Sequence, residues 1–461
     1  MRGAVAAGHP ATTDAGAEIL EEGGSAADAA VAACLASCVA ETVMTGLLGG
    51  GHAIYYDAQA DKARNLDCFV AMPGLGRERQ EVALLELEIP FGSELVHYAV
   101  GIGSCGVPGL PAGLDALWRE HGRLPWPRLV EPALRLADDA VPMPAAHASC
   151  LEMLAPVMTM NEGARIYSPG GSLLREGGLL RQPGLVRAME ALAAEGPGTA
   201  YEGSIGRALL ELMEERGGLV TEQDLREYEA SWAEPVAVEF RGYDVRTRAG
   251  LSDFPAALAD LPELRGRTEP QRALALAETL LGGRAGDNGT TNLAVLDEQG
   301  SACVLTTSLG LGSGDFLPGH DLHLNSMLGE ADLATGQLEP GERMGSMMAP
   351  SLALDPAGVA LAAGAAGGTR LRGALLQAFA GVLDEGLEPQ AAIDRPRLHP
   401  VARLVHVEPG FGAETLTALG SAGFEVREWP GPHHYFGGVS AVTRNGAAGD
   451  PRRSGAARVL E

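Results

Sequence analysis

A chain of 461 residues that is 46% hydrophobic has enough apolar material for a large buried core, as one domain or as two closely packed halves. Asp and Glu number 60 against 34 Lys and Arg, a formal net charge of −26, and Lys62 is the lone lysine. That balance argues against a nucleic-acid partner, because nothing offsets polyanion repulsion, and with an ordinary apolar fraction it reads as an enzyme rather than a disordered, solvating chain.

The chain opens Met1-Arg2-Gly3-Ala4-Val5-Ala6-Ala7-Gly8-His9, where glycine and histidine interrupt any apolar signal core. The apolar stretch Ala30–Ala40 is too short to cross a bilayer, which takes roughly 20 residues. The expectation is a cytoplasmic protein with no membrane partner. Thr13 or Asp14 is placed to cap a first helix running to about Glu22, with Gly23-Gly24 ending it. Ser25 caps a second, on which Val31, Cys34, Leu35 and Cys38 form one apolar stripe. The run Gly49-Gly50-Gly51 precedes a short strand Ala53–Tyr56; with no Lys-Ser/Thr and no helix after it, it is a place of close backbone packing rather than a phosphate cradle. The six cysteines have no zinc-type spacing and read as small buried hydrophobes, so no metal or other cofactor is expected.

Further along, a Leu- and Ala-rich helix is expected over Trp126–Ala137, and Thr221 starts another with acidic residues in its first turn. Val236–Glu239 and Tyr243–Thr247 make a hairpin around Arg241-Gly242. From about Gly250 to Gly289 the character changes to charged patches ending in a glycine-rich run, which reads as a flexible connector. Strand patterning resumes at Thr290-Thr291, where Leu293, Val295, Cys303 and Leu305 flank the turn Asp297–Gly300.

A glycine-rich stretch ending Gly289-Thr290-Thr291, followed at once by a strand, has a chemical use. Backbone cleavage before Thr290 would leave its hydroxyl as nucleophile and its freed α-amine as general base. An α-amine has an ordinary pKa of about 7.7–8.0, close to useful basicity at neutral pH. Gly-Thr-Thr alone is equally an ordinary strand edge; the surrounding set gives it meaning. Downstream, Gly364-Ala365-Ala366-Gly367-Gly368-Thr369-Arg370 turns into a helix, and paired N–H groups there could stabilise an oxyanion or simply make a tight turn.

Together these segments resemble the γ-glutamyltransferase family of N-terminal nucleophile hydrolases. The resemblance rests on Glu21–Ala32, Gly49-Gly50-Gly51, Gly106-Val107-Pro108-Gly109 and Gly217–Leu225 in the first half. In the second half it rests on Gly289-Thr290-Thr291, Arg343–Met347, Gly367-Gly368, Pro396–His399 and Phe436–Val439. It implies an α+β fold, the four-layer αββα sandwich. It also implies self-cleavage between Gly289 and Thr290 into a large chain (1–289, ending in the connector) and a small chain (290–461) that stay together as a heterodimer. The activity implied is acyl transfer from a small-molecule amide to water or an amine. Thr290 matches the nucleophile, with Thr291 after it, and Gly367 and Gly368 match the oxyanion glycines. Ser308 matches a hydroxyl near the nucleophile and Ser346 a serine of the substrate pocket.

Four departures stand out. Phe69 occupies the position of the family's carboxylate-gripping arginine, and Gly345 that of the first pocket serine. Gly310 and Gly329 occupy those of a pocket asparagine and aspartate, with Glu330 adjacent, and the connector is short. The pocket is therefore expected to be more apolar than the family's, and roomier where glycines stand. Arg370 could replace the lost cation or bond locally, and His433-His434 could touch substrate or be structural; Arg397 and His399 are expected to hold strand ends. Three functions follow: an autoprocessed amidase or acyltransferase not restricted to γ-glutamyl compounds, a true γ-glutamyl transferase or glutathione hydrolase, and a non-catalytic relative that only binds.

Overall fold

The computed structural model describes residues 2–78, 82–91, 94–281, 290–330, 333 and 336–461. Two antiparallel sheets lie face to face. The first runs Ala456–Leu460, Gly3–Ala7, Thr291–Asp297, Ala302–Ser308, Gly50–Asp57, Lys62–Cys68, Ser231–Ala233. The second runs Ala447–Gly449, Gly438–Val442, Gly358–Ala366, Ser351–Asp355, Tyr243–Thr247, Val236–Phe240. Strand alternation sorts the side chains. Ala4, Ile54, Ala294 and Val304 meet Leu352, Ala362 and Val442 between the sheets. Val5, Leu293, Val295 and Leu305 point the other way, under the helices Pro10–Glu21, Ala26–Ala40, Trp126–Asp139 and Pro183–Glu195. Leu361, Ala363, Val439 and Ala441 of the second sheet pack under Phe254–Asp260, Glu269–Leu280 and Arg370–Phe379. This is the four-layer αββα sandwich that the resemblance implies.

The Ala26–Ala40 helix starts at a capping box in which Ser25 and Asp28 satisfy each other's N–H groups. Every residue of it is buried, because Ala and Cys let it lie flat between sheet and outer helices. Thr221 and Asp224 form a second capping box where a helix start was expected. All six cysteines are buried thiols. Among the described residues no helix is long and apolar enough to cross a membrane.

Two expectations need correction. The first helix is capped by His9, not by Thr13 or Asp14: the His9 ring accepts from the Ala11 N–H, and Pro10 occupies the first turn. The segment from 250 is not a connector along its whole length. Phe254, Ala257, Leu258, Leu261, Leu264, Ala273, Ala277 and Leu280 put helices into the outer layer, because their spacing gives each an apolar face. Residues 282–289, including the expected cleavage position Gly289, lie outside the described residues.

The placement of the chain ends matters for the site. Gly3–Ala7 pairs with Thr291–Asp297 on one side and with Ala456–Leu460 on the other. The turn that precedes the last strand, Asp450 to Gly455, is thereby brought to the start of the strand that Thr290 opens.

Candidate active site

Thr290 immediately precedes the Thr291–Asp297 strand and is buried. Alternation puts it on the inner face with Asn292 and Ala294, while Thr291 points to the helices. Thr291 pairs with Thr307 on the next strand, so one step along the same register sets Ser308 opposite Thr290. Ser308 pairs in turn with Gly50, and Gly51 with Cys68, which sets Phe69 at the far end of the same row. The Asn292 amide crosses to the second sheet, donating to the Gly438 carbonyl at 3.0 Å and accepting from the Ser440 N–H at 2.9 Å. These bonds fix the start of the strand between both sheets.

Two residues beside Thr290 carried no recognisable motif. Glu41, just past the Ala26–Ala40 helix, accepts from the Thr12 hydroxyl at 2.6 Å and from Thr291 through its other oxygen. Arg453 donates to the Thr290 carbonyl at 3.3 Å. With His147, Met44 and Gly438 they line a small cavity of about 10 Å³, close to the space one water needs. Burial pushes the Glu41 carboxyl up to about 7, against the opposing pull of its two threonine hydrogen bonds and of Arg453. Burial, and then the charge of neighbouring groups, holds His147 down at about 3 and His434 well below the ordinary imidazole value.

The Glu41 shift has a stability consequence. Its folded value lies above the ordinary 4.5, so between about pH 4.5 and pH 7 the native state holds a proton that the unfolded chain releases. Stability is then lost as pH rises through that window, by up to about 3 kcal/mol. Glu41→Gln removes the titration. Urea midpoints measured at pH 4.5 and pH 7 are expected to fall less with rising pH in this variant than in the wild type; equal slopes would show that Glu41 titrates normally.

Gly367 and Gly368 follow the Gly358–Ala366 strand with φ of +125° and +56°. Their carbonyls accept from Arg370 and Leu371 in the first turn of the next helix. Among the described residues neither glycine N–H has an acceptor. A peptide plane holds C=O and N–H on opposite edges, so the Gly368 N–H points away from that helix. A Cβ on Gly367 would lie 3.3 Å from Arg453 Nη2, which brings this turn and Thr290 to one guanidinium.

The remaining candidates divide. The Ser308 hydroxyl accepts from the Gly310 N–H at 2.8 Å. Arg370 is turned to the Tyr435 turn: Nε donates to the Tyr435 carbonyl at 3.0 Å and its guanidinium covers that ring. His433 caps the same turn, accepting from the Tyr435 N–H. Arg397 pairs with Asp450 beside the strand it opens, as expected of a strand-end residue.

At the far end of the row, Phe69 is fully buried with Val70, Met327, Met344 and Met348 and stacks on the His52 ring. Ser346 lies at the same end; its hydroxyl accepts from Met348 N–H and its carbonyl from Arg248 at 3.1 Å. The expected extra room is not found. A Cβ at Gly310 would meet the Glu330 carboxylate and the Ser326 hydroxyl, and one at Gly329 would run into the Ala99 carbonyl. The space is filled by other groups, and the cation nearest Ser346 is Arg248 rather than Arg370.

A family model described as Gamma-glutamyltranspeptidase matches residues 12–272 and 267–460. The acylase ACY 1 proenzyme of Pseudomonas sp. (strain SE83) is 27% identical over 510 residues, covering 96% of this chain and 90% of that protein. The glutathione hydrolase proenzyme of Bacillus subtilis (strain 168) is 24% identical over 537 residues, covering 97% and 91%. Among solved structures, cephalosporin acylase from Bacillus halodurans superposes with a TM-score of 0.83 at 22% identity, covering 100% of this chain and 96% of that one.

Proposed function

The chain belongs to the γ-glutamyltranspeptidase family, and we propose that it is an autoprocessed amide hydrolase or acyltransferase in which Thr290 is the nucleophile. The observation that carries this is the position of Thr290: first residue before a core strand, opposite Ser308, beside a glycine turn whose N–H groups have no acceptor among the described residues.

Chemistry follows from that placement. In processing, the Thr290 hydroxyl attacks the Gly289 carbonyl, the peptide C–N bond breaks, and an ester joins Gly289 to Thr290 Oγ. Water hydrolyses the ester and leaves a free α-amine on Thr290. In turnover, this amine takes the hydroxyl proton as Oγ attacks the substrate amide carbonyl. Oxyanion charge is met by the Gly367 and Gly368 N–H groups. The proton then goes to the leaving amine, and the acyl ester on Thr290 is resolved by water or by an acceptor amine. The two chains, 1–289 and 290–461, remain joined because their strands alternate within one sheet. Intact-mass measurement of purified protein is expected to give two chains cut before Thr290; a single uncut mass after long incubation at neutral pH would overturn this reading.

For the substrate we infer a simple acyl amide in preference to a γ-glutamyl compound. Carboxylates are normally gripped by arginine's planar fork, and Phe69 offers no donor. Losing a charged pair of that kind typically costs about 2–5 kcal/mol, more than tenfold in binding even at the low end. Matched anilides should therefore show at least about tenfold better kcat/KM for the simple acyl compound. Phe69→Arg should raise γ-glutamyl turnover only modestly, since Gly310, Gly329 and Gly345 still offer no polar side chain. A strong wild-type preference for the γ-glutamyl anilide would defeat this assignment and make Arg248 the first cation to test.

A further inference from the structure

The run Asp450-Pro451-Arg452-Arg453 folds as one tight turn and buries both arginines. Their surroundings differ. Arg452 pairs with Glu408 and Asp450, and Asp450 also holds Arg397. Arg453 is 5% exposed, and among the described residues no carboxylate lies within 4 Å of it and its Nε has no partner. Its contacts are long: Nη1 to the Thr290 carbonyl and to Met44 Sδ, both at 3.3 Å, and Nη2 to the His434 carbonyl at 3.5 Å. A buried guanidinium without a counter-ion is destabilising, so stability alone does not explain an arginine at this position.

We propose that Arg453 is a positioning residue for Thr290: it clamps the Thr290 carbonyl and holds a fixed positive charge beside the α-amine that cleavage creates, so that the amine stays unprotonated at neutral pH. This rests on the reading of Thr290 as nucleophile.

The nitrogen and carbonyl oxygen of one residue are about 3 Å apart. The amine therefore lies within about 6 Å of Nη1. At an effective dielectric constant of about 20, a unit charge at that distance lowers an amine pKa by about two units. The neighbouring groups do not cancel this. Glu41 pulls the other way, but with its carboxyl pushed up by burial to about 7 it is only partly ionised at neutral pH. His147 and His434 are held neutral by burial, and burial pushes the Cys150 thiol up to about 11. Asp450 is charged, yet it is matched by Arg397 and Arg452. Arg370 adds charge of the same sign as Arg453. Burial lowers the Arg453 value too, from a start high enough that the guanidinium keeps its proton.

The test is kcat/KM against pH on a simple acyl anilide, with self-processed wild type, Arg453→Met and Arg453→Lys. The ascending limb reports the free enzyme's base. Arg453→Met should move it up by at least one pH unit, cost about tenfold or more below that limb, and approach wild type near pH 9. Arg453→Lys should keep the limb within a few tenths of a unit. A uniform loss at all pH values with an unmoved limb would overturn the proposal. If the methionine variant does not fold, Arg453→Gln replaces it, keeping a donor for the Thr290 carbonyl without the charge; failure of both to fold would make Arg453 a structural residue and also overturn the proposal. Mass spectrometry of the acylated wild type separates the two claims. No adduct on the Thr290 peptide removes the nucleophile reading, whereas an adduct with an unmoved limb removes only the role of Arg453.

Discussion

Thr290→Ala is expected to remain one full-length chain under conditions in which the wild type is fully cut, and to show no turnover above a background at least about 10³-fold lower. Both losses have one cause. On the proposed reading the same hydroxyl attacks the Gly289 carbonyl in processing and the substrate carbonyl in turnover, and alanine has no atom to do either. Thr290→Ser keeps the hydroxyl but loses the methyl group that restricts χ1. Processing should then be slow rather than absent, with a serine hydroxyl that spends less time aimed at the carbonyl. Time courses of intact mass read all three proteins directly. Cleavage of the alanine variant at the wild-type position would show that another group breaks the chain, and Ser308, set opposite in the strand register, would be the first to test.

Local features of the fold were legible because short-range chemistry sets them. Ser25 with Asp28 and Thr221 with Asp224 are capping boxes at a spacing of three residues, and both form. The hairpin around Arg241-Gly242 and the turn at Asp297–Gly300 sit where turn residues interrupt alternating strands. Failures came where tertiary context decides. His9 rather than Thr13 caps the first helix because Pro10 fixes where the helix begins. The helices between 254 and 280 were hidden in a charged, Ala-rich segment whose apolar face has meaning only against the second sheet. The site shows the same division. Thr290, Gly367 and Gly368 stand in recognisable motifs, but Glu41 and Arg453 reach Thr291 and Thr290 across 250 and 163 residues of sequence. Only the fold brings them there, with the first strand pairing the Thr291–Asp297 strand on one side and the last strand on the other. The glycines at 310 and 329 misled in the opposite sense. A missing side chain suggested room, and the room belongs to Glu330, Ser326 and the Ala99 backbone.

Alanine at Gly368 is expected to cost turnover far more than stability, and alanine at Gly367 to cost both. Gly368 has φ of +56°, a conformation that costs an L-residue roughly 1–2 kcal/mol. The chain can relieve that strain by rotating the peptide plane before residue 368, which swings its N–H out of line. Gly367, at +125°, has no such relief, because an added Cβ would also stand 2.9 Å from the Gly437 Cα and force the two turns apart. Loss of one oxyanion donor raises a barrier by about 2.7–4 kcal/mol, or about 10²–10³ in kcat. Gly368→Ala should therefore fall by about that factor with KM little changed, because the lost bond is made to the transition state more than to bound substrate. Gly367→Ala should fall at least as far. Processing should slow in both, since the same N–H groups would face the Gly289 carbonyl as it becomes tetrahedral. Urea unfolding measures the stability share independently. A folded, processed Gly368→Ala protein with wild-type kcat would remove the turn from the mechanism and leave the oxyanion to other donors near Thr290, of which the Arg453 guanidinium is the first candidate.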